Sequence, residues 1–311
     1  MEGRILMVKV RSPASATVIN AISMGKGSAY GIQLYITADV EIIDKKSDEK
    51  ITIISESLDN PSMDTLLMDL CARMAYDRLS LNPRFNLENI TLSVKTTSDI
   101  PPGSGLSSSS AASNSVVYAT LCTLLDASGL TMDDVDITPE DVLNMGIDAS
   151  LECGVTKTGS YDDASASFYG GWKITDNYNR KILHDYPIEY HKILIYMPDK
   201  TLYTAQSDVK AMKTLAPLVD IAFDYATKNN IEKALTLNGF LYCAALNLDS
   251  QISMDALKAG ASAAGLSGTG SAYSILVDEN CDVEKIKKAL SKYPGKIIET
   301  SPDNTGSVVI R

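Results

Sequence analysis

Pro101-Pro-Gly-Ser-Gly-Leu-Ser-Ser-Ser-Ser-Ala-Ala112 decides how this chain is built. The residues before it, Ile90 to Thr96, read as a strand. Those after it, Val116 to Leu125, form a helical run closed near Gly129. The stretch is therefore a strand end, a glycine turn and a helix opening with small hydroxyl residues. Glycines let backbone approach a ligand closely, consecutive N–H groups point outward, and a helix N-terminus adds partial positive charge. Such a turn suits an anion. A tightly packed helix start would ask for the same small residues, so both accounts stand on the segment alone.

Outward from this loop the chain predicts an α+β order rather than strict strand–helix alternation. Strands are expected at Arg4–Val10, Tyr30–Ile43 and Ile51–Ile54, and a helix within Ser62–Leu79. Thr138-Pro-Glu-Asp141 is a helix start, with a Thr cap, Pro at the first position and acids in the first turn, and the helix runs to about Cys153. Gly154 to Gly171 reads as loop followed by a short strand. Beyond Trp172 come a strand at Lys192–Met197, helices near 203–228, 231–248 and 253–263, and the glycine-rich turn 265–271. The strand Ala272–Val277, a helix at 282–292 and strands near 296–300 and 307–310 follow. The expected division is 1–171 and 172–311, with the boundary in the window 171–190.

Composition narrows the function. The 311 residues are 45% hydrophobic and 22% charged, which suits a folded chain with a sizeable core. A net charge of −11 argues against coating nucleic acid. No run approaches the roughly 18 apolar residues of a membrane helix. The five cysteines lack a C-x-x-C pair, which fits buried thiols in a reducing compartment and points to the cytoplasm. With only two histidines, His184 and His191, a His-centred triad is disfavoured. Oligomeric state is not legible.

The common nucleotide motifs fail. Gly25-Lys-Gly-Ser28 lacks the Walker A spacing, and Gly103 and Gly105 are followed by Ser108 where a dinucleotide fingerprint needs Gly. Three other motifs, in order, resemble the GHMP kinase superfamily. They are Ser12-Pro-Ala-Ser-Ala16, the Pro101–Ala112 loop, and Gly265-Leu-Ser-Gly-Thr-Gly-Ser271. The block Ala14–Gly31, with Tyr161-Asp-Asp-Ala-Ser-Ala-Ser-Phe-Tyr-Gly-Gly171, resembles the archaeal-type shikimate kinases within it. The resemblance implies a two-domain α+β fold with ATP and substrate between the domains, Mg²⁺ as cofactor, and phosphorylation of shikimate at its 3-hydroxyl. Homoserine is the alternative acceptor.

The resemblance also assigns residues. Pro102, Gly103, Ser104, Gly105, Leu106, Ser107, Ser108, Ser109 and Ser110 would cradle the nucleotide. Ser109 and Glu152 would hold the metal, Glu152 lying ten residues before Asp162. A carboxylate at a helix C-terminus is locally unfavourable by roughly 0.3–1 kcal/mol, which a metal would offset and a solvated position would relieve. Asp162 and Asp163 are the catalytic candidates. The Asp-Asp-Ala pattern favours Asp162, and counting back from Gly170-Gly171 chooses Asp163. If extended, the two would point to opposite faces. Substrate contacts fall to Ser15, Asn20, Lys26, Ser28, Ser267, Gly268 and Thr269, with Lys26 in a glycine turn as the cation for a carboxylate; a plain surface lysine fits the same position.

Overall fold

A bulged strand pair forms the spine of the protein. The computed structural model describes residues 7–43, 49–156, 158–199 and 209–310. Strands β1 (Met7–Ile19) and β2 (Lys26–Ile43) pair antiparallel along most of their length. Register shifts at Pro13/Ala14 and Thr17/Ile19 carry β1 through the Ser12–Ala16 motif. Bulges of this kind bend a strand and re-aim side chains, and here they turn Ser15 and Thr17 toward one end of the sheet. The first strand was expected to stop at Val10; it runs nine residues further.

The first sheet, among the described residues, has the order β11-β1-β2-β4-β3, with β3 (Ile51–Ser57), β4 (Ile90–Ser98) and β11 (Val308–Ile310). A second pair, β5 (Trp172–Asp176) and β6 (Lys181–Tyr186), joins it along Lys26–Tyr30 of β2. Helices α1 (Leu66–Ser80), α2 (Ser108–Ser128), α3 (Pro139–Glu152) and α4 (Tyr161–Tyr169) accompany this sheet. Their buried faces share a core with Val10, Val40 and Leu92. The second sheet, order β10-β7-β9-β8, comprises β7 (Lys192–Pro198), β8 (Ala263–Leu266), β9 (Tyr273–Val277) and β10 (Gly295–Thr300). With it go α5 (Val209–Thr214), α6 (Ala216–Thr227), α7 (Ile231–Leu246), α8 (Gln251–Ala259) and α9 (Val283–Leu290).

The change of sheet falls after Tyr186, late in the expected window, and β11 returns the chain end to β1. The inner ends of β1 and β2 share one apolar cluster with the second sheet, including Tyr30, Trp172, Leu194 and Tyr273. Local signals set the start of α3 as expected. Thr138 accepts from the Asp141 N–H, and Asp141 accepts from the Thr138 N–H, a reciprocal cap that satisfies two orphan donors. The expected helix over 203–228 begins outside the described residues, and Pro217 opens its second part as α6.

One expectation fails with consequence. Gly154–Gly171 is not loop and strand: Tyr161–Tyr169 is the helix α4. The alternation Ala-Ser-Ala-Ser imitates a strand, yet Tyr161, Ala164 and Phe168 are buried at helical spacing. Asp162 and Asp163 occupy its first turn, where the helix dipole favours acids. The two carboxylates therefore do not diverge to opposite faces.

Candidate active site

The loop between β4 and α2 folds as its glycines require. Gly103, Gly105 and Ser107 have φ of 64°, 76° and 58°. This left-handed region costs an L-residue roughly 1–2 kcal/mol, so Ser107 is held there by its surroundings. A Cβ on Gly105 would stand 2.6 Å from the Ser267 carbonyl and 2.9 Å from Gly270 Cα. One on Gly270 would stand 2.5 Å from Gly105 N. The two glycine-rich motifs, more than 160 residues apart in sequence, thus meet backbone to backbone.

Ser267 ties the junction. Its hydroxyl donates to Gly105 O at 2.9 Å and accepts from Thr17 N at 3.1 Å, joining the two glycine-rich motifs to the residue just after Ser12–Ala16. Ser267 is fully buried. Both hydrogen bonds place it behind the wall as a strut, whereas Gly268 and Thr269 reach the cavity.

That cavity, of about 190 Å³, lies between the loop, α4 and the turn joining β1 to β2. On one side stand Gly103–Gly105 and Ser107–Ser110. The first turn of α2 carries neither acid nor base, so its outward N–H groups face no competing charge. Pro102 is exposed and Leu106 is buried, its carbonyl accepting from Ser15 N at 3.4 Å; neither lines the cavity. The opposite side is the β1–β2 turn at Asn20–Ile22. Asn20 accepts from Ile22 N at 3.0 Å, and α7 pins its backbone through Tyr242, whose hydroxyl donates to Asn20 O at 3.0 Å.

Asp162 and Asp163 both border the cavity, side by side on α4. Asp163 Oδ1 accepts from the hydroxyls of Ser15 and Thr17, each at 3.2 Å, and Ser107 of the loop adds a third side-chain donor. Asp162 lies deeper, 3% exposed, with Oδ1 accepting from Asn177 Nδ2 at 2.7 Å. Burial raises the pKa of both carboxyls. For Asp163 the Asp162 charge adds to burial, the hydroxyls pull the other way, and the result is about 8. The two therefore titrate as a coupled pair.

Other expected residues lie elsewhere. Ser28 is fully buried and accepts from Trp172 Nε1 at 2.6 Å, so it packs the core instead of a ligand. Lys26 starts β2 rather than sitting in a glycine turn; its ammonium lies 3.1 Å from Asp220 and 5.2 Å from the centre of the Phe223 ring, outside the cavity wall. Glu152 is exposed at the end of α3 and is likewise absent from the wall, so solvation relieves its terminal position.

The described wall contains no Lys or Arg. Among the described residues no group of three or more His, Cys, Asp or Glu side chains forms a metal cluster. The donors present are hydroxyl and carboxylate oxygens, which suit Mg²⁺, an ion that usually takes only one or two protein ligands beside phosphates and water. Ser109, on the first turn of α2, contributes one of these hydroxyls to the wall. Asn177 and Tyr242, beside Asp162, and Thr175, behind Asn177, were missed by the sequence reading, since nothing local distinguishes them.

Residues 69–171 match the family described as GHMP kinases N terminal domain. A shikimate kinase of Methanothermobacter thermautotrophicus is 48% identical over 97% of this chain and 97% of its own. One of Methanobrevibacter smithii is 42% identical over 96% and 97% respectively. The chain belongs to the archaeal-type shikimate kinases of the GHMP superfamily. It is thus a small-molecule kinase that uses ATP. Among solved structures, homoserine kinase from Cytophaga hutchinsonii aligns with a TM-score of 0.71 at 17% identity over 100% of this chain and 99% of that one. Mevalonate kinase from Methanococcus jannaschii aligns at 0.65 and 18%, over 97% and 99%. At such identities these two establish the shared GHMP kinase fold alone.

Proposed function

We propose that this kinase transfers the γ-phosphoryl group of ATP to the 3-hydroxyl of shikimate, in the cytoplasm, with Mg²⁺ required. The observation that carries the proposal is the cavity itself, bordered by the N-terminus of α2 and by two carboxylates on α4, Asp162 buried and Asp163 half-buried. Near-full-length similarity to proteins named shikimate kinase supplies the acceptor.

Phosphoryl transfer needs positioning and charge stabilisation more than covalent help. The Gly103–Ser110 N–H groups and the α2 dipole meet the phosphates. Ser109 would hold Mg²⁺, which would supply charge neutralisation to the phosphates. Asp163 is the carboxylate nearer the loop, oriented by Ser15, Thr17 and Ser107. It receives the proton of the acceptor hydroxyl as that oxygen bonds to phosphorus and the bond to ADP breaks. A proton affinity raised toward neutrality suits that role. Asn20 and its neighbours on the β1–β2 turn form the acceptor side.

The test is ADP release with Mg²⁺ against a panel containing shikimate, homoserine and other hydroxy acids. Shikimate-dependent turnover, with the product phosphate located by NMR, is expected. Efficient use of homoserine with none of shikimate would overturn the proposal.

A further inference from the structure

A buried polar chain runs from β5 into the carboxylate pair, and nothing in the transfer chemistry above requires it. Thr175 is fully buried, Asn177 is 4% exposed and Asp162 is 3% exposed. The Thr175 hydroxyl lies 2.7 Å from Asn177 Oδ1 and 3.1 Å from Gly27 O. Asn177 Nδ2 donates to Asp162 Oδ1 at 2.7 Å, and Asn177 N donates to Gly25 O at 2.8 Å. A side-chain amide can present either end; the single proton of the Thr175 hydroxyl, given to Asn177 Oδ1 as the shorter of its two contacts, turns the NH₂ toward the carboxylate. On the other side of Asp162, a Cβ at Gly27 would stand 2.4 Å from Oδ2, so that oxygen rests against bare backbone.

We propose that Asn177, anchored by Thr175, is a positioning residue that holds Asp162 ionised beside Asp163, so that the proton of the pair is handled at Asp163. This rests on Asp163 being the group that meets the acceptor hydroxyl. A donor aimed at a buried carboxylate favours its charged form, and an adjacent negative charge then strengthens proton binding by its neighbour. Among the described residues the ionisable groups near the pair are few, and on β5 the buried Lys173 is paired with Asp185 of β6. Tyr242 approaches Asp162 from α7. The ammonium of Lys26 on β2 is engaged with Asp220 of α6, and its field reaches Asp176 rather than the pair. From β1 and α2 come only the hydroxyls of Ser15, Thr17 and Ser107. Removing the amide leaves a buried Asp162 without its side-chain donor. Asp162 then retains its proton, and Asp163 ionises at lower pH.

The experiment compares wild type with Asn177→Leu, Thr175→Val and Thr175→Ser in two measurements. One is the pH profile of kcat/KM for shikimate. The other is a carboxyl ¹³C NMR titration of Asp162 and Asp163 in the nucleotide-free protein. In Asn177→Leu the acid limb moves down by about one pH unit or more, the scale of removing one adjacent negative charge from Asp163, and kcat falls. Thr175→Val shifts it the same way by less, and Thr175→Ser, which keeps the hydroxyl, restores the wild-type limb. In the titration Asp162 ionises before Asp163 in wild type and later than in wild type in Asn177→Leu. A fall in kcat with an unmoved limb and an unchanged order of ionisation would overturn the inference. Wild-type protein that never turns over shikimate would refute the assigned reaction instead, and the titration would still decide the role of Asn177.

Discussion

Replacing Gly105 with alanine tests the junction on which the nucleotide site depends. The backbone there has φ of 76°, and a Cβ would stand 2.6 Å from Ser267 O and 2.9 Å from Gly270 Cα. Both obstacles are backbone, so no flexible side chain can move aside. The left-handed conformation contributes roughly 1–2 kcal/mol and overpacking typically about 1–3 kcal/mol, together about 2–5 kcal/mol. Gly129 separates the two parts, since its φ of 66° is similar and nothing lies within 4 Å of its Cβ position. Gly129→Ala should therefore show only the conformational part. Thermal unfolding at roughly 2 °C per kcal/mol for a chain of this size places Gly105→Ala about 4–10 °C below wild type and Gly129→Ala about 2–4 °C below. ATP binding, measured by calorimetry, should weaken only in Gly105→Ala, because the clash pushes apart the wall that meets the phosphates. Equal melting temperatures for the two variants, with ATP affinity intact in both, would refute the packing described for the two glycine motifs.

Asp163→Asn should lower kcat on the order of 10²-fold or more while leaving ATP binding nearly unchanged, as steady-state kinetics and calorimetry would record. In the nucleotide-free protein Asp163 binds its proton more tightly folded than unfolded. Its contribution to stability is therefore full below about pH 4 and is lost as pH rises through about 8. Urea unfolding across that window should show a downward slope from this group that Asp163→Asn removes. Ser28→Ala should destabilise by about 1–3 kcal/mol by orphaning Trp172 Nε1, without raising KM for shikimate. Excess chelator should abolish turnover, and Glu152→Gln should leave the metal requirement as it was; a raised Mg²⁺ requirement in that variant would bring Glu152 back to the site.

The glycine–serine loop, the cap at Thr138 and the order of the three motifs were legible in the chain because each is local. A turn needing positive φ selects glycine within a few residues. A helix start selects Thr, Pro and acids within four. The Gly103–Ser110 wall followed from such signals. What packs against that wall did not. Thr17 and Asp163 are 146 residues apart, and Thr17 and Ser267 are 250 apart. Contacts at that separation leave no spacing to read. Gly154–Gly171 read as loop and short strand; burial of Tyr161, Ala164 and Phe168 against the helical layer made α4 and set both carboxylates on one turn. The same holds for residues that chemistry alone would have recruited. Lys26 went to Asp220 and Ser28 to Trp172 because both positions of β2 are paired with β5, and pairing fixes where each side chain points. By itself, then, the sequence determined the glycine turn that opens α2 and the family to which the chain belongs. Which hydroxyls and amides surround the carboxylates was decided only when α4 packed against β1, β2 and β5, since burial and long-range hydrogen bonds are properties of the assembled core.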